Sequence, residues 1–227
     1  MSGVQEIAIY DMDRTITRTG TYTPFLIHAA LARAPWRLLL LPVALLAMLG
    51  YALKLFTRAR LKEINQHLLL GSEISRADLE PVTASFADRV MRLNTLPGAL
   101  RQIEEDRAAG RRLVLATASY RLYVEAIAAR LRFDDVIATN SILGLDARVT
   151  AKIDGENCYG PAKLRMIEAW FQQQGIDRSK VHVRFYSDHA SDAPVMEWAD
   201  EAFATTPSPK MRALAMKRGW PVVDWTA

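Results

Sequence analysis

Asp11 and Asp13 stand two residues apart at the end of an apolar run, Ile7-Ala8-Ile9-Tyr10, with Thr15 four residues after the first acid. Carboxylates this close raise one another's pKa and invite a cation, so the pair suits metal binding or acid/base work. An apolar, β-branched run reads as a buried parallel strand, and open α/β sheets bind ligands at the carboxyl ends of such strands. Taken alone, five residues also read as a solvated turn after a strand.

Three later segments carry matching chemistry. Leu113-Val114-Leu115-Ala116 reads as a second buried strand and runs into Thr117-Ala118-Ser119, whose hydroxyls can donate to a phosphate oxygen. Lys163 follows Gly160 and Pro161 at the start of an amphipathic helix, Leu164 to Phe171, where a helix N-terminus favours anions. Val181 to Tyr186 reads as a third strand, ending in Ser187-Asp188 with Asp192 four residues on. Carboxylate, hydroxyl, lysine and carboxylate are thus brought toward one sheet edge. A calcium loop starting at Asp11 is excluded, because Ile16 and Tyr22 occupy the positions that need glycine and glutamate. There is no glycine-rich loop ending in Gly-Lys-Ser/Thr.

In this order the four segments resemble the haloacid dehalogenase superfamily, specifically its phosphoserine-phosphatase-like branch. The ending, Phe203 to Lys210 and Gly219 to Val222, is also similar to that branch. The resemblance implies an α/β fold: a Rossmann-like parallel sheet core, residues 1–17 and 96–227, with an α-helical cap, residues 18–95, inserted between the first and second motifs. It implies that Asp11 attacks the phosphorus of a phosphomonoester to form an aspartyl-phosphate, and that Asp13 protonates the leaving alkoxide and then activates water. Mg²⁺ is implied on carboxylate oxygens of Asp11 and Asp188 and the backbone carbonyl of Asp13. Thr117 and Lys163 would hold phosphoryl oxygens. Asp192 would hold a metal-bound water or orient Lys163, or else serve as a helix N-terminal acid, and Thr15 would brace the loop after the nucleophile. An acid at Asp13 favours ester hydrolysis over the ion-pump and dehalogenase chemistries of the superfamily, which lack it.

The 227 residues are half hydrophobic, enough for a core domain with an insertion. The single cysteine, Cys158, excludes an intrachain disulfide and reads as packing. His189, beside Asp188, reads as an exposed loop residue. A net charge of +4 admits nucleic acid, an anionic substrate or an anionic membrane surface as partner. No aromatic-basic pattern for nucleic acid accompanies it. The N-terminus enters a strand without a secretory signal, which places the expected enzyme in the cytoplasm, peripheral on the inner face of the membrane if it associates with one.

Between Leu38 and Leu53 there is no charged residue. A bilayer crossing needs about 20 apolar residues, and with Pro42 near its start this run is expected to fall short. A crossing would also separate Asp11 from Thr117, Lys163 and Asp188. Three readings remain: a cap helix buried against its neighbours or in a dimer, a hairpin dipping into one leaflet, or an interfacial helix with Arg33, Arg37, Lys54 and Arg58 toward anionic headgroups. Helices are expected at Arg58 to Leu70 and Arg76 to Leu93, the second capped by Ser75 or Asp78, and at Ala99 to Ala109; a hairpin is expected around Gly144 to Gly155.

The stretch Arg18-Thr19-Gly20-Thr21 lacks the glutamate with which phosphoserine phosphatases read an ammonium, and Arg18 at the cap mouth would attract further anionic charge. The leucine-rich insertion resembles the phosphatidylglycerophosphate phosphatases of the same branch. Two other readings of the chain are a soluble small-metabolite phosphatase and a regulatory protein keeping the fold without turnover. The sequence leaves the oligomeric state open.

Overall fold

The computed structural model describes residues 5–227; the first four residues of the segment read as core lie outside the described range. β1 (Gln5–Tyr10) is central in an eight-stranded sheet with β2 (Glu73–Ile74), β3 (Arg112–Tyr120), β4 (Asp135–Leu143), β5 (Val149–Asp154), β6 (Val181–Ser187), β7 (Glu201–Thr205) and β8 (Val222–Val223). Their order is β2-β5-β4-β3-β1-β6-β7-β8, parallel from β4 through β8 and antiparallel at β4–β5 and β2–β5.

Alternation along the strands assigns side chains to two layers. Ile7 and Ile9 of β1 pack with Val114, Val183 and Phe185 under α7 (Pro161–Gln173), α8 (Ala193–Trp198) and α9 (Pro209–Arg218). Ala8 and Tyr10 face the other way, with Leu113, Leu115 and Tyr186, under α5 (Pro97–Ala108) and α6 (Arg121–Arg130).

Between β1 and β3 lie α1 (Tyr22–Arg33), a 3-10 turn (Pro35–Leu40), α2 (Leu41–Ala52), α3 (Arg58–Leu70) and α4 (Arg76–Leu93). Thr57 caps α3 by accepting the Arg60 N–H at 3.2 Å, and Ser75 caps α4 by accepting that of Asp78 at 3.1 Å. Asp78 instead pairs with Arg33 across to α1. The insertion is not wholly helical, because Glu73-Ile74, in the link between α3 and α4, adds β2 to the sheet against Val149 and Thr150.

The apolar run does not bury itself. Of α2 only Ala44 and Gly50 are buried, while Leu39, Leu45, Leu46, Leu49, Leu53 and Leu55 are each more than half exposed. This corrects the reading of a helix buried within its own cap. Pro42 is no break either, since it lies in the first turn of α2, where a missing N–H costs nothing. The helical stretch Pro35–Ala52 spans 18 residues and is, by length and composition, apolar enough to cross a bilayer. However, α1 before it and α3 after it pack against each other, which a crossing would prevent.

Candidate active site

Asp11 is the first residue beyond β1, and its N–H donates to the Tyr186 carbonyl at 3.0 Å. Tyr10 and Tyr186 lie in register and stack at 4.5 Å, which fixes the ends of β1 and β6 relative to each other. Beyond Asp11 the chain folds into a turn in which the N–H groups of Thr15, Ile16 and Thr17 all point to the Met12 carbonyl, with Arg14 left-handed at φ 65°. This turn carries Asp13 toward the cavity and returns Thr15 beneath it.

Thr15 is fully buried and acts between loops: its hydroxyl meets Asp188 Oδ1 at 3.2 Å and accepts the Asp188 N–H at 3.0 Å. It therefore clamps the Asp11 loop to the Asp188 loop, while Thr17, bonded to the Met12 and Thr19 carbonyls, braces the turn itself.

Lys163, in the first turn of α7, is 2% exposed and lies 3.1 Å from Asp11 Oδ1 and 2.7 Å from Asp192 Oδ2. Ser187 donates to the same Asp192 oxygen at 2.7 Å. Burial works against the Lys163 charge, yet the flanking Asp11 and Asp192 carboxylates hold its ammonium above the usual lysine range. Burial pushes the Asp11 carboxyl up, opposed by Lys163 and reinforced by Asp192, Asp188 and Asp13, and it pushes Asp188 up to about 6. Burial is the main cause for both acids, and because a single ammonium faces several carboxylates the cluster also carries surplus negative charge.

Both oxygens of Asp13 are held. Oδ1 accepts from the Thr21 N–H and hydroxyl, each at 2.7 Å, and Oδ2 from the Ser119 hydroxyl at 2.7 Å. Thr21 in turn meets the buried Tyr123 hydroxyl at 2.9 Å. Thr21 and Tyr123 have no sequence signature, because their partners lie eight and 102 residues away; Ser119 was visible only as a hydroxyl beside Thr117.

A cavity of about 420 Å³ gathers Asp11, Asp13, Thr117, Lys163, Asp188 and Asp192. Its wall adds Arg14, Tyr22, Arg58, Tyr159 and His189. The guanidinium of Arg58 stacks on Tyr159 at 4.3 Å. Arg18 does not line it; the residue is exposed and its N–H is tied to the Asn94 carbonyl, so the basic side chains at the mouth are Arg14 and Arg58. His189, expected outside the site, is exposed on the cavity wall. Cys158 is buried and its thiol is pushed up to about 12 by burial, which leaves it unreactive. A cavity of about 530 Å³ between α4, α6, β4 and β5 contains none of these acids.

The donor set suits magnesium. Among the described residues no three His, Cys, Asp or Glu side chains form a ready cage. Magnesium needs only one or two carboxylates and keeps several waters, and Asp11 and Asp188 supply two in a cluster with surplus negative charge. Asp192 Oδ1 is buried with no hydrogen-bond partner, the kind of acceptor that a water on such an ion satisfies.

The profile described as haloacid dehalogenase-like hydrolase matches residues 8–197. The Inhibition of morphological differentiation protein of Streptomyces azureus is 35% identical over 123 residues, 54% of this chain and 43% of its own length, so the chain spans less than half of that relative. A crystal structure of a protein with unknown function from Bordetella pertussis Tohama I superposes with a TM-score of 0.87 at 25% identity, covering 98% of this chain and 99% of that one. A phosphoserine phosphatase solved as a phospho-aspartyl intermediate analogue shares the fold, with a TM-score of 0.62 at 16% identity over 98% of this chain and 94% of its own.

Proposed function

This chain belongs to the haloacid dehalogenase-like hydrolases, and on that premise we propose that it is a magnesium-dependent phosphomonoester hydrolase working through an aspartyl-phosphate on Asp11. The observation that carries this reading is the buried Asp11–Lys163–Asp192 chain opening on a cavity shared with Asp13, Thr117 and Asp188.

An Asp11 oxygen attacks phosphorus while the ester oxygen leaves. Lys163 and Thr117 hold phosphoryl oxygens, where charge concentrates in transfer. Asp13, protonated in this step, gives its proton to the leaving alkoxide; as the carboxylate it then takes one from the water that cleaves the acyl phosphate. Thr21 and Ser119 hold Asp13 in one orientation for both transfers. Asp11, Asp188 and the Asp13 carbonyl would hold Mg²⁺, which neutralises the charge of a phosphate dianion approaching the acids.

The cap supports a finer reading, a phospholipid monoester such as phosphatidylglycerophosphate. Among the described residues the cavity wall offers no acid to read an ammonium apart from the aspartates of the site, whereas Arg14 and Arg58 favour a second anionic group on the substrate. The exposed leucines of the 3-10 turn, α2 and the following loop give an apolar surface flanked by Lys54 and by Arg33, which also pairs with Asp78, the composition of an interfacial helix on an anionic membrane. Of the four expected basic flanks, Arg37 is instead tied to the His67 and Leu68 carbonyls and Arg58 to Tyr159. In this reading the protein sits peripherally on the inner face of the cytoplasmic membrane. The alternative, a soluble metabolite phosphatase, has the same catalytic acids and covers α2 with a second copy.

The test is magnesium-dependent phosphate release from phosphatidylglycerophosphate in mixed micelles against soluble esters such as phosphoserine. Preference for the micellar lipid is expected; preference for a soluble ester, with a monodisperse dimer in the absence of detergent, would replace this reading with the alternative.

A further inference from the structure

Among the basic residues of the cap, Lys62 stands apart. It belongs to α3, yet it is 6% exposed and its ammonium enters the core. There it donates to the Ala118 carbonyl and to Asn157 Oδ1, the latter at 2.7 Å, and it lies 4.8 Å from the Tyr120 ring centre and 5.6 Å from that of Tyr22. Among the described residues no carboxylate is within ion-pair distance of it. A buried ammonium with neutral partners is costly, so its placement calls for a reason beyond packing.

The reason lies in the acceptor. β3 and β4 pair in register up to Thr117↔Ala138 and resume at Tyr120↔Thr139, so Ala118 and Ser119 form a bulge outside the ladder. The Ala118 carbonyl is taken up by side chains instead: Lys62 from the cap and Thr139 at 2.7 Å from β4. Asn157, which also faces Thr139 at 3.1 Å, completes the group. On one side of Ala118 is Thr117, whose hydroxyl accepts the Ser119 N–H at 3.1 Å; on the other is Ser119, which holds Asp13. One peptide carbonyl thus fixes both the phosphate-binding hydroxyl and the support of the acid/base.

We propose that Lys62 is a positioning residue that joins cap closure to assembly of the site: only when α3 is seated does its ammonium fix the bulge, and with it Thr117 and Asp13. The inference deepens the phosphatase reading and rests on it for its kinetic consequence. The charged and titratable groups around the amine agree with a poised contact. Burial brings Lys62 down to about 7, Arg58 adds to this, and Asp13 and Cys158 oppose it.

The test compares wild type with Lys62→Met, which keeps the aliphatic length, and Lys62→Gln, which keeps a donor. Met keeps the packing volume and removes the desolvation cost of the ammonium, which offsets the lost hydrogen bonds because Thr139 still faces both the Ala118 carbonyl and Asn157. The expectation for Lys62→Met is an unchanged or raised Tm, a fall in kcat of about 10–100-fold on a soluble ester at near-constant KM, and a partial return of kcat in Lys62→Gln. In the same variant, backbone hydrogen exchange should quicken in the peptide containing Thr117 to Ser119 and stay unchanged in β1. A lowered Tm that accounts for the kcat loss, or unchanged exchange at the bulge, or unchanged kcat, would overturn the proposal. If wild type hydrolyses no phosphomonoester, the function reading falls, and the exchange comparison alone decides whether Lys62 positions the bulge.

Discussion

The acids at the sheet edge and the cap above them are built on opposite terms. Asp11, Thr117, Lys163, Asp188 and Asp192 are each at most 7% exposed, and every one of them is held by strand ends or by a neighbour in the cluster. The cap, by contrast, leaves most of its large apolar side chains on α2 uncovered and presents Arg58 at the cavity mouth, where it stacks on Tyr159 of the core. A rigid, charged floor is what phosphoryl transfer requires, because catalysis there is positioning and electrostatics. The exposed apolar surface of α2 takes no part in that chemistry; under the phospholipid proposal it governs where the ester comes from. Under the proposed function, reaction belongs to the floor, to which the cap lends Thr21 and Lys62 as supports, and choice of substrate belongs to α2 and the cavity mouth, so substitutions can separate the two.

The largest effect belongs to the floor. Asp11→Asn removes the attacking oxygen's charge and should lower turnover on the order of 10⁴-fold or more for lipid and soluble esters alike, measured as phosphate release. Equal loss on both substrates sharpens the division; survival of activity would break it. Asp13→Asn should cost about 10³-fold, within the range of general acid/base work, and should let an acid-stable phosphoenzyme accumulate on Asp11. Loss without any trapped phosphoenzyme would locate the contribution of Asp13 before transfer only.

A smaller effect concerns pH. Burial raises Asp11 and Asp188, the latter to about 6, above the ordinary aspartate value, so the folded protein binds these protons more tightly than the unfolded chain does. Their contribution to stability is therefore most favourable below pH about 4 and declines as pH rises through 6 and beyond. A cation competes with protons for the same oxygens. Millimolar magnesium should raise Tm by about 2–4 °C at pH 8 and by much less at pH 5, read by thermal unfolding. A larger shift at pH 5 would contradict the cluster as the metal site.

Much of the floor was legible in the sequence because strand ends leave local marks. Ile7 to Tyr10 and Val181 to Tyr186 are apolar runs that stop at an acid, and chain order alone put Asp11, Thr117, Lys163 and Asp188 in sequence. What was not legible depends on contacts across the insertion. The support of Asp13 by Thr21 and Ser119, the placement of Arg58 on Tyr159, and the reach of Lys62 to Ala118 join residues separated by up to 106 positions. Arg18 was misjudged because the turn around the Met12 carbonyl and the tie to Asn94 set the direction of that loop, and neither has a sequence pattern. Pro42 was misjudged because the same residue breaks a helix in its interior and starts one at its first turn.

The division between floor and cap is tested most directly by Leu46→Glu combined with Leu49→Glu, two exposed positions on α2 whose replacement leaves the core untouched. The measurement is the ratio of kcat/KM for phosphatidylglycerophosphate in anionic vesicles to that for a soluble phosphomonoester. The account predicts a fall in the lipid rate of about tenfold or more with the soluble rate unchanged, accompanied by loss of vesicle co-sedimentation. An unchanged ratio would contradict it and separate the apolar cap from the choice of substrate.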